Sequence, residues 1–188
     1  TERYNPGNIY RDEQGFSQIS TGHYQRNWFK GIISSERYIF NSHKYSFGYH
    51  AESVLSNRPL FHTFKSTILS APTFNPLQDS KSLYLENFRA NNYAAIGLKN
   101  VFHLRKNLDL RTEGFVFQPF KEFQKNGLQS VSYGEPFKKS YLAYTAGLVY
   151  NTLAGPISLS FNHYDDEQKR NGVMFHIGFL IYNKRSFE

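Results

Sequence analysis

The chain of 188 residues contains no cysteine, so disulfides and thiolate metal ligands are excluded. Nor does it hold an apolar run of the ~18 residues that a transmembrane helix requires. Its first residues, Thr1-Glu2-Arg3-Tyr4, carry neither an initiator methionine nor the pattern of a signal peptide. That leaves two expectations, a processed protein or a piece of a longer chain. The catalytic signatures built on short spacings are missing too. A serine-hydrolase elbow needs Gly-x-Ser-x-Gly, so that the nucleophile projects from a tight strand-to-helix turn. The nearest approach, Gly15-Phe16-Ser17-Gln18-Ile19, lacks the second glycine. There is no phosphate-binding glycine loop and no zinc-type His-Glu-x-x-His. Seven histidines stand apart, and no two have ligand spacing on a common face, so no metal or cofactor is expected.

What the chain does have is aromatic residues: 18 Phe and 14 Tyr, in a sequence whose mean hydropathy is negative. A membrane β-barrel combines the two naturally, because each strand shows one face to lipid and the other to water. Aromatic rings also collect at the membrane–water interfaces. An aromatic-rich soluble β-sandwich or lipocalin-like barrel is the alternative at this level. The net charge of +7 is scattered, with Lys138 and Lys139 beside Lys121 and Lys125 as its densest cluster. With no basic helix and no RNA-binding aromatic signature, these charges read as solvated loops, and no nucleic acid is expected.

The strongest local signal is alternation with a period of two, which separates two faces only in a strand. Over 45–53, Tyr45, Phe47, Tyr49, Ala51 and Ser53 oppose Ser46, Gly48, His50 and Glu52. The order breaks at Val54-Leu55, where the strand is expected to end. Ala94, Ile96, Leu98, Phe102 and Leu104 oppose Tyr93, Lys99 and His103. Leu108, Leu110 and Thr112 alternate with Asp109, Arg111 and Glu113; Leu142, Tyr144, Ala146, Leu148 and Tyr150 share a face. Ile157, Leu159 and Phe161 alternate with serines and Asn162, and Val173, Phe175, Ile177, Phe179 and Ile181 line the last strand. A poorly alternating strand is expected over 28–40.

Short turns at 41–43, 105–107 and 153–155 alternate with longer, mostly polar links at 54–91, 121–138 and 164–171. Outer-membrane barrels sort their connections in this way, with short periplasmic turns and long outer loops. The expectation is therefore an all-β fold, an antiparallel transmembrane β-barrel, with a loop or entry segment at 1–26 and barrel strands over 27–188. Seven strands are counted, with 10–20 as a candidate eighth. An odd count points to the C-terminal half of a barrel of roughly sixteen strands, since bacterial barrels have an even number. The rival is a complete eight-stranded barrel. The last strand would descend to a periplasmic C-terminus. His50, Glu52, Lys99, Asp109, Arg111 and Glu113 fall on the non-lipid face by parity. They should point into the lumen, because a charge facing hydrocarbon costs ~2–4 kcal/mol near the midplane. Asp165-Asp166-Glu167 reads as a solvated loop tip.

Two segments carry a resemblance. The hairpin from Leu148 through Gly155-Pro156 to Ser160 resembles the penultimate hairpin of the BamA/TamA-like outer-membrane assembly superfamily (bacterial surface antigen type). Gly155 permits a tight turn, and Pro156 can start a strand whose first N–H is not yet needed. The segment Phe175-His176-Ile177-Gly178-Phe179-Leu180-Ile181-Tyr182 resembles the terminal strand that serves as its insertion signal. A closer resemblance is to the C-terminal barrel of patatin-like outer-membrane proteins of Bacteroidota type. It rests on Leu69 to Pro76, Asn87 to Tyr93, Gly155 to Asp166 and the tail from Phe179 to Ser186.

The resemblance implies a Gram-negative outer membrane and a barrel that anchors an upstream lipid acyl hydrolase and provides a pore or export path for it. It also implies contact with outer-membrane lipids and lipopolysaccharide, and with the assembly machinery during insertion. A homo-oligomer or larger membrane complex is compatible with it. The hydrolase itself is not expected in this chain: no Asp is followed by Gly, so the Asp-Gly partner of patatin-type dyads is missing with the elbow. A barrel of a BamA/TamA-like assembly or secretion factor is the alternative. A compact eight-stranded lipid hydrolase would need a Ser/His pair near the outer rim, and none is evident in the sequence.

Overall fold

The computed structural model describes residues 8–11, 17–20, 27–61, 63–126, 130–153, 155–167 and 170–178. It is an all-β chain. Two short strands, β1 (Asn8–Arg11) and β2 (Ser17–Ser20), pair with each other, so the described residues of the 10–20 stretch add no strand to the main sheet. The main sheet has seven antiparallel strands: β3 (Lys30–Asn41), β4 (Tyr45–Ser56), β5 (Tyr93–Arg105), β6 (Leu108–Pro119), β9 (Tyr141–Thr152), β10 (Gly155–Tyr164) and β11 (Asn171–Ile177). They are neighbours in chain order, β3-β4-β5-β6-β9-β10-β11, with β7 (Lys121–Asn126) and β8 (Ser130–Pro136) forming a separate hairpin between β6 and β9. The described residues form an open sheet and no closed barrel.

Each strand puts its alternate side chains on opposite faces. One face carries Ile96, Leu98, Phe102, Leu148, Leu159, Phe161 and Phe175, every one of them exposed. We call this the bare face. The other, inner face is polar and small-chained in its middle and covered at one end. That cover is the 57–92 segment, which contains α1 (Phe64–Ser70) and a 3-10 turn at Asp79–Ser82. Thr63 caps α1 by accepting the Ser66 N–H at 3.2 Å. Pro72 holds Ala71 extended, which stops the helix there.

The buried core lies between this segment and the inner face. Phe74, Leu77, Leu85, Phe88 and Ala90 from the segment pack on Val54, Tyr93, Ala95, Phe115, Phe117, Tyr141, Ala143 and Tyr164. Phe74 stacks on Phe117 with centroids 5.8 Å apart, and Phe88 meets Tyr164 edge-on. Polar latches hold the segment down. The Asn87 N–H donates to Asp166 Oδ2 at 2.9 Å, Asn87 Nδ2 donates to the Asp165 carbonyl, and the Tyr164 hydroxyl donates to Asp79. Within it, burial pushes the Tyr84 phenol up, with Glu86 adding to the shift, while the Arg89 guanidinium lies 5.2 Å over the Tyr84 ring.

Several expectations change here. β4 runs on to Ser56, because Val54 is buried under the folded-in segment while Leu55 faces outward, so two adjacent apolar residues still alternate. The 54–91 link is not a polar loop, since Phe74, Leu77, Leu85, Phe88 and Ala90 belong to the core. The 121–138 link contains the β7–β8 hairpin. Asp166 is buried rather than solvated, because it accepts the Asn87 N–H. A bulge between Tyr38 and Phe40 moves Phe40 to the bare face beside Phe47, and before it Ile32-Ile33, Ser34-Ser35 and Glu36-Arg37 put like residues on both faces, so β3 alternates weakly.

Candidate functional site

Six charged or titratable positions were expected on the inner face, and cross-strand register brings four of them together. Lys99 on β5 sits opposite Glu113 on β6, and His50 on β4 lies opposite Glu36 on β3. Lys99 Nζ reaches Glu36 Oε1 at 2.7 Å and Glu113 Oε2 at 3.8 Å. His50 Nδ1 lies 3.3 Å from Glu36, and its Nε2 is 3.9 Å from Glu52. The Tyr93 hydroxyl donates to Glu52 at 2.6 Å. One lysine thus bridges carboxylates from two other strands, and Gly97 leaves the room beside it that the Phe115 ring occupies. A groove of about 740 Å³ runs past Glu36, His50, Glu52, Lys99 and Glu113 and beneath the folded-in segment. Charges of both signs line it, so it suits water and polar solutes better than an apolar ligand.

Arg111 lies outside this cluster, exposed along a second groove of about 400 Å³ with Thr145, Asn151, Ser160 and Asn162. Ser160 Oγ and Asn162 Nδ2 line that groove without a hydrogen-bond partner. Asp109 belongs to a different network near the short turns. His103 Nδ1 lies 2.7 Å from Asp109 Oδ1, and His103 Nε2 lies 3.2 Å from Ser46 Oγ. Asn151 Nδ2 donates to Asp109 Oδ2 at 3.2 Å, and Ser46 Oγ lies 2.6 Å from Asn41 Oδ1. Ser46 and Asp109 are both buried.

The turn residues behave as their chemistry demands. Gly155 has φ +118°, a conformation that favours glycine, and Pro156 pairs with Asn151 while its carbonyl accepts the Gly178 N–H at 2.8 Å. Phe175 and Ile177 stand on the bare face of β11, and Gly178 follows with φ +94°. Phe179 and Ile181 lie outside the described residues.

Sequence reasoning missed Glu36, Ser46 and His103 as site residues. Glu36 was hidden by the β3 bulge. The pairing of His103 with Asp109 had a signal: even-numbered residues are apolar on both sides of the turn at Lys106-Asn107. A plain two-residue turn would pair even with odd positions, so one extra residue is required. The bulge between His103 and Arg105 supplies it. No protein family, no curated protein and no solved structure matches the chain.

Proposed function

We propose that the chain is part of a transmembrane antiparallel β-barrel of a bacterial outer membrane. In this reading it anchors a patatin-like outer-membrane protein of the surface antigen superfamily and lines a path for it. The observation that carries the membrane reading is the inversion of the sheet. Large apolar side chains are exposed across the bare face, which also carries Arg37 and Asn100, while the ion pairs of Lys99 and the buried polar groups of the strands lie on the inner one. Soluble monomers rarely expose apolar patches beyond a few hundred Å², whereas a lipid-facing sheet must. Strand length fits as well. β3, β4, β6 and β9 have 12 residues each, and a tilted membrane strand needs about 9–11.

The topology supports a larger barrel. In a seven-stranded meander the two edges, β3 and β11, run in the same direction. Antiparallel closure therefore takes an odd number of further strands, about nine for a barrel of sixteen. Two copies inserted in the same sense would meet edge to edge in parallel, so self-pairing does not close it. With the short turns periplasmic, the end of β11 lies on the periplasmic side, and the folded-in 57–92 segment enters from outside.

Heat-modifiable migration tests the membrane reading: the whole barrel of which the chain is proposed to be part, folded in detergent, should run differently before and after boiling. Full solubility without detergent, together with unchanged migration, would overturn it. The patatin-like reading is tested separately by the parent gene. A Gly-x-Ser-x-Gly and an Asp-Gly encoded upstream of Thr1 support it; POTRA repeats alone in that place would replace it with the assembly-factor reading.

A further inference from the structure

Three adjacent strands place a serine, a histidine and an aspartate in hydrogen-bonded series. Ser46 is the second residue of β4, His103 lies near the end of β5 and Asp109 is the second residue of β6. We propose that Ser46, His103 and Asp109 form a nucleophile–base–carboxylate relay able to hydrolyse small carboxylic esters. The proposal rests on side-chain geometry and is independent of the membrane and patatin-like readings.

The proton positions follow from the partners. Ionised Asp109 can only accept, so His103 Nδ1 carries the hydrogen directed at its Oδ1, 2.7 Å away. That tautomer leaves the Nε2 lone pair facing Ser46 Oγ at 3.2 Å, as a general base requires. Asn151 engages the other Asp109 oxygen at 3.2 Å, so the carboxylate is fixed from two sides. Ser46 has one proton and two acceptors, Nε2 and the Asn41 Oδ1 at 2.6 Å. Turning the Asn41 carboxamide over removes the conflict, because the oxygen and nitrogen of an amide are exchanged by a flip. Nδ2 then donates to Oγ, and the hydroxyl donates to Nε2.

The reaction balances without any further reagent than water. Ser46 Oγ bonds to the acyl carbon while its proton passes to His103 Nε2. Collapse breaks the carbon–alkoxy bond, and the Nε2 proton leaves with the alcohol. Water repeats the sequence on the acyl-serine, releasing the acid and restoring Ser46. The relay lies beside the short turns, away from the folded-in segment, and about a third of the His103 side chain is exposed. Asn151, at the Asp109 end of the relay, also lines the 400 Å³ groove, whose lining does not include Ser46 or His103.

The test is covalent capture on the full chain folded in detergent, with folding of each variant verified by its β-sheet circular dichroism. A fluorophosphonate probe should label Ser46, located by peptide mass spectrometry, and p-nitrophenyl acetate should be hydrolysed. Ser46→Ala should abolish the label. His103→Gln and Asp109→Asn should slow both labelling and hydrolysis by about 100-fold or more. Absence of label on folded wild type, label on another serine, or equal rates in folded His103→Gln would each overturn the relay. The network would then be a structural tie among the three strands.

Discussion

Replacing Leu98 by arginine separates a lipid-facing sheet from a water-facing one. Leu98 is the sixth of the thirteen residues of β5, in register between Tyr49 and Gly114, and half of it is exposed on the bare face. If water covered that face, an exposed Leu→Arg change would move stability by no more than about 0.5 kcal/mol. Against hydrocarbon near the midplane, arginine costs about 2–4 kcal/mol, a loss of about 30- to 900-fold in the folded-to-unfolded ratio. Leu104, beside the short turn, provides the depth control. It is equally exposed, but its place at the strand end puts the cost of Leu104→Arg at about 0–1 kcal/mol. Urea titration of the full chain folded into lipid vesicles measures both, as a shift in midpoint at constant slope. Equal, near-zero effects at 98 and 104 would mean that water and not lipid covers the bare face, however the chain migrates on a gel.

The inner face offers further tests. Gly97→Ala would bring a Cβ to 2.2 Å from Phe115 Cδ1, so the buried ring must move; an overpacking cost of about 1–3 kcal/mol is expected in the same titration. Phe88→Ala empties the contact with Phe117, Tyr141 and Tyr164. About 3–5 kcal/mol should be lost, with protease cleavage appearing first within 57–92. A double-mutant cycle on Glu36→Gln and Lys99→Met should give a coupling of only about 0.2–1 kcal/mol, since the Glu36 side chain is 45% exposed to water. A coupling above ~2 kcal/mol would mean that the pair is shielded from solvent by strands beyond β3.

Strand identity and face were legible because the inner and bare faces differ in chemistry at every second residue. Leu142 to Tyr150 and Ile157 to Phe161 needed nothing more. Where both faces are apolar, the same signal fails: Val54 looked like the end of β4 because the sequence does not show that the 57–92 segment returns to complete the core to which it belongs. The aromatic residues of the 57–92 segment have no period, since each packs through an irregular backbone and not through a repeating face. Asp166 looked solvated because its partner, the Asn87 backbone, lies 79 residues earlier in the chain. His50, Glu52, Lys99 and Glu113 were legible by parity, and Glu36 was not. Their grouping was not, because it depends on two bulges that set the register of β3 with β4 and of β5 with β6.

The absence of native cysteine makes one direct measurement straightforward. Single cysteines placed in turn at Ile96, Leu98 and Asn100 on the bare face and at Lys99, Arg111 and Glu113 on the inner face, each labelled with an environment-sensitive fluorophore, can be probed in vesicles of brominated lipid. A lipid-covered bare face predicts strong quenching at 96, 98 and 100, and weak quenching at 99, 111 and 113. Uniformly weak quenching, with all six positions open to a water-soluble quencher, would contradict it.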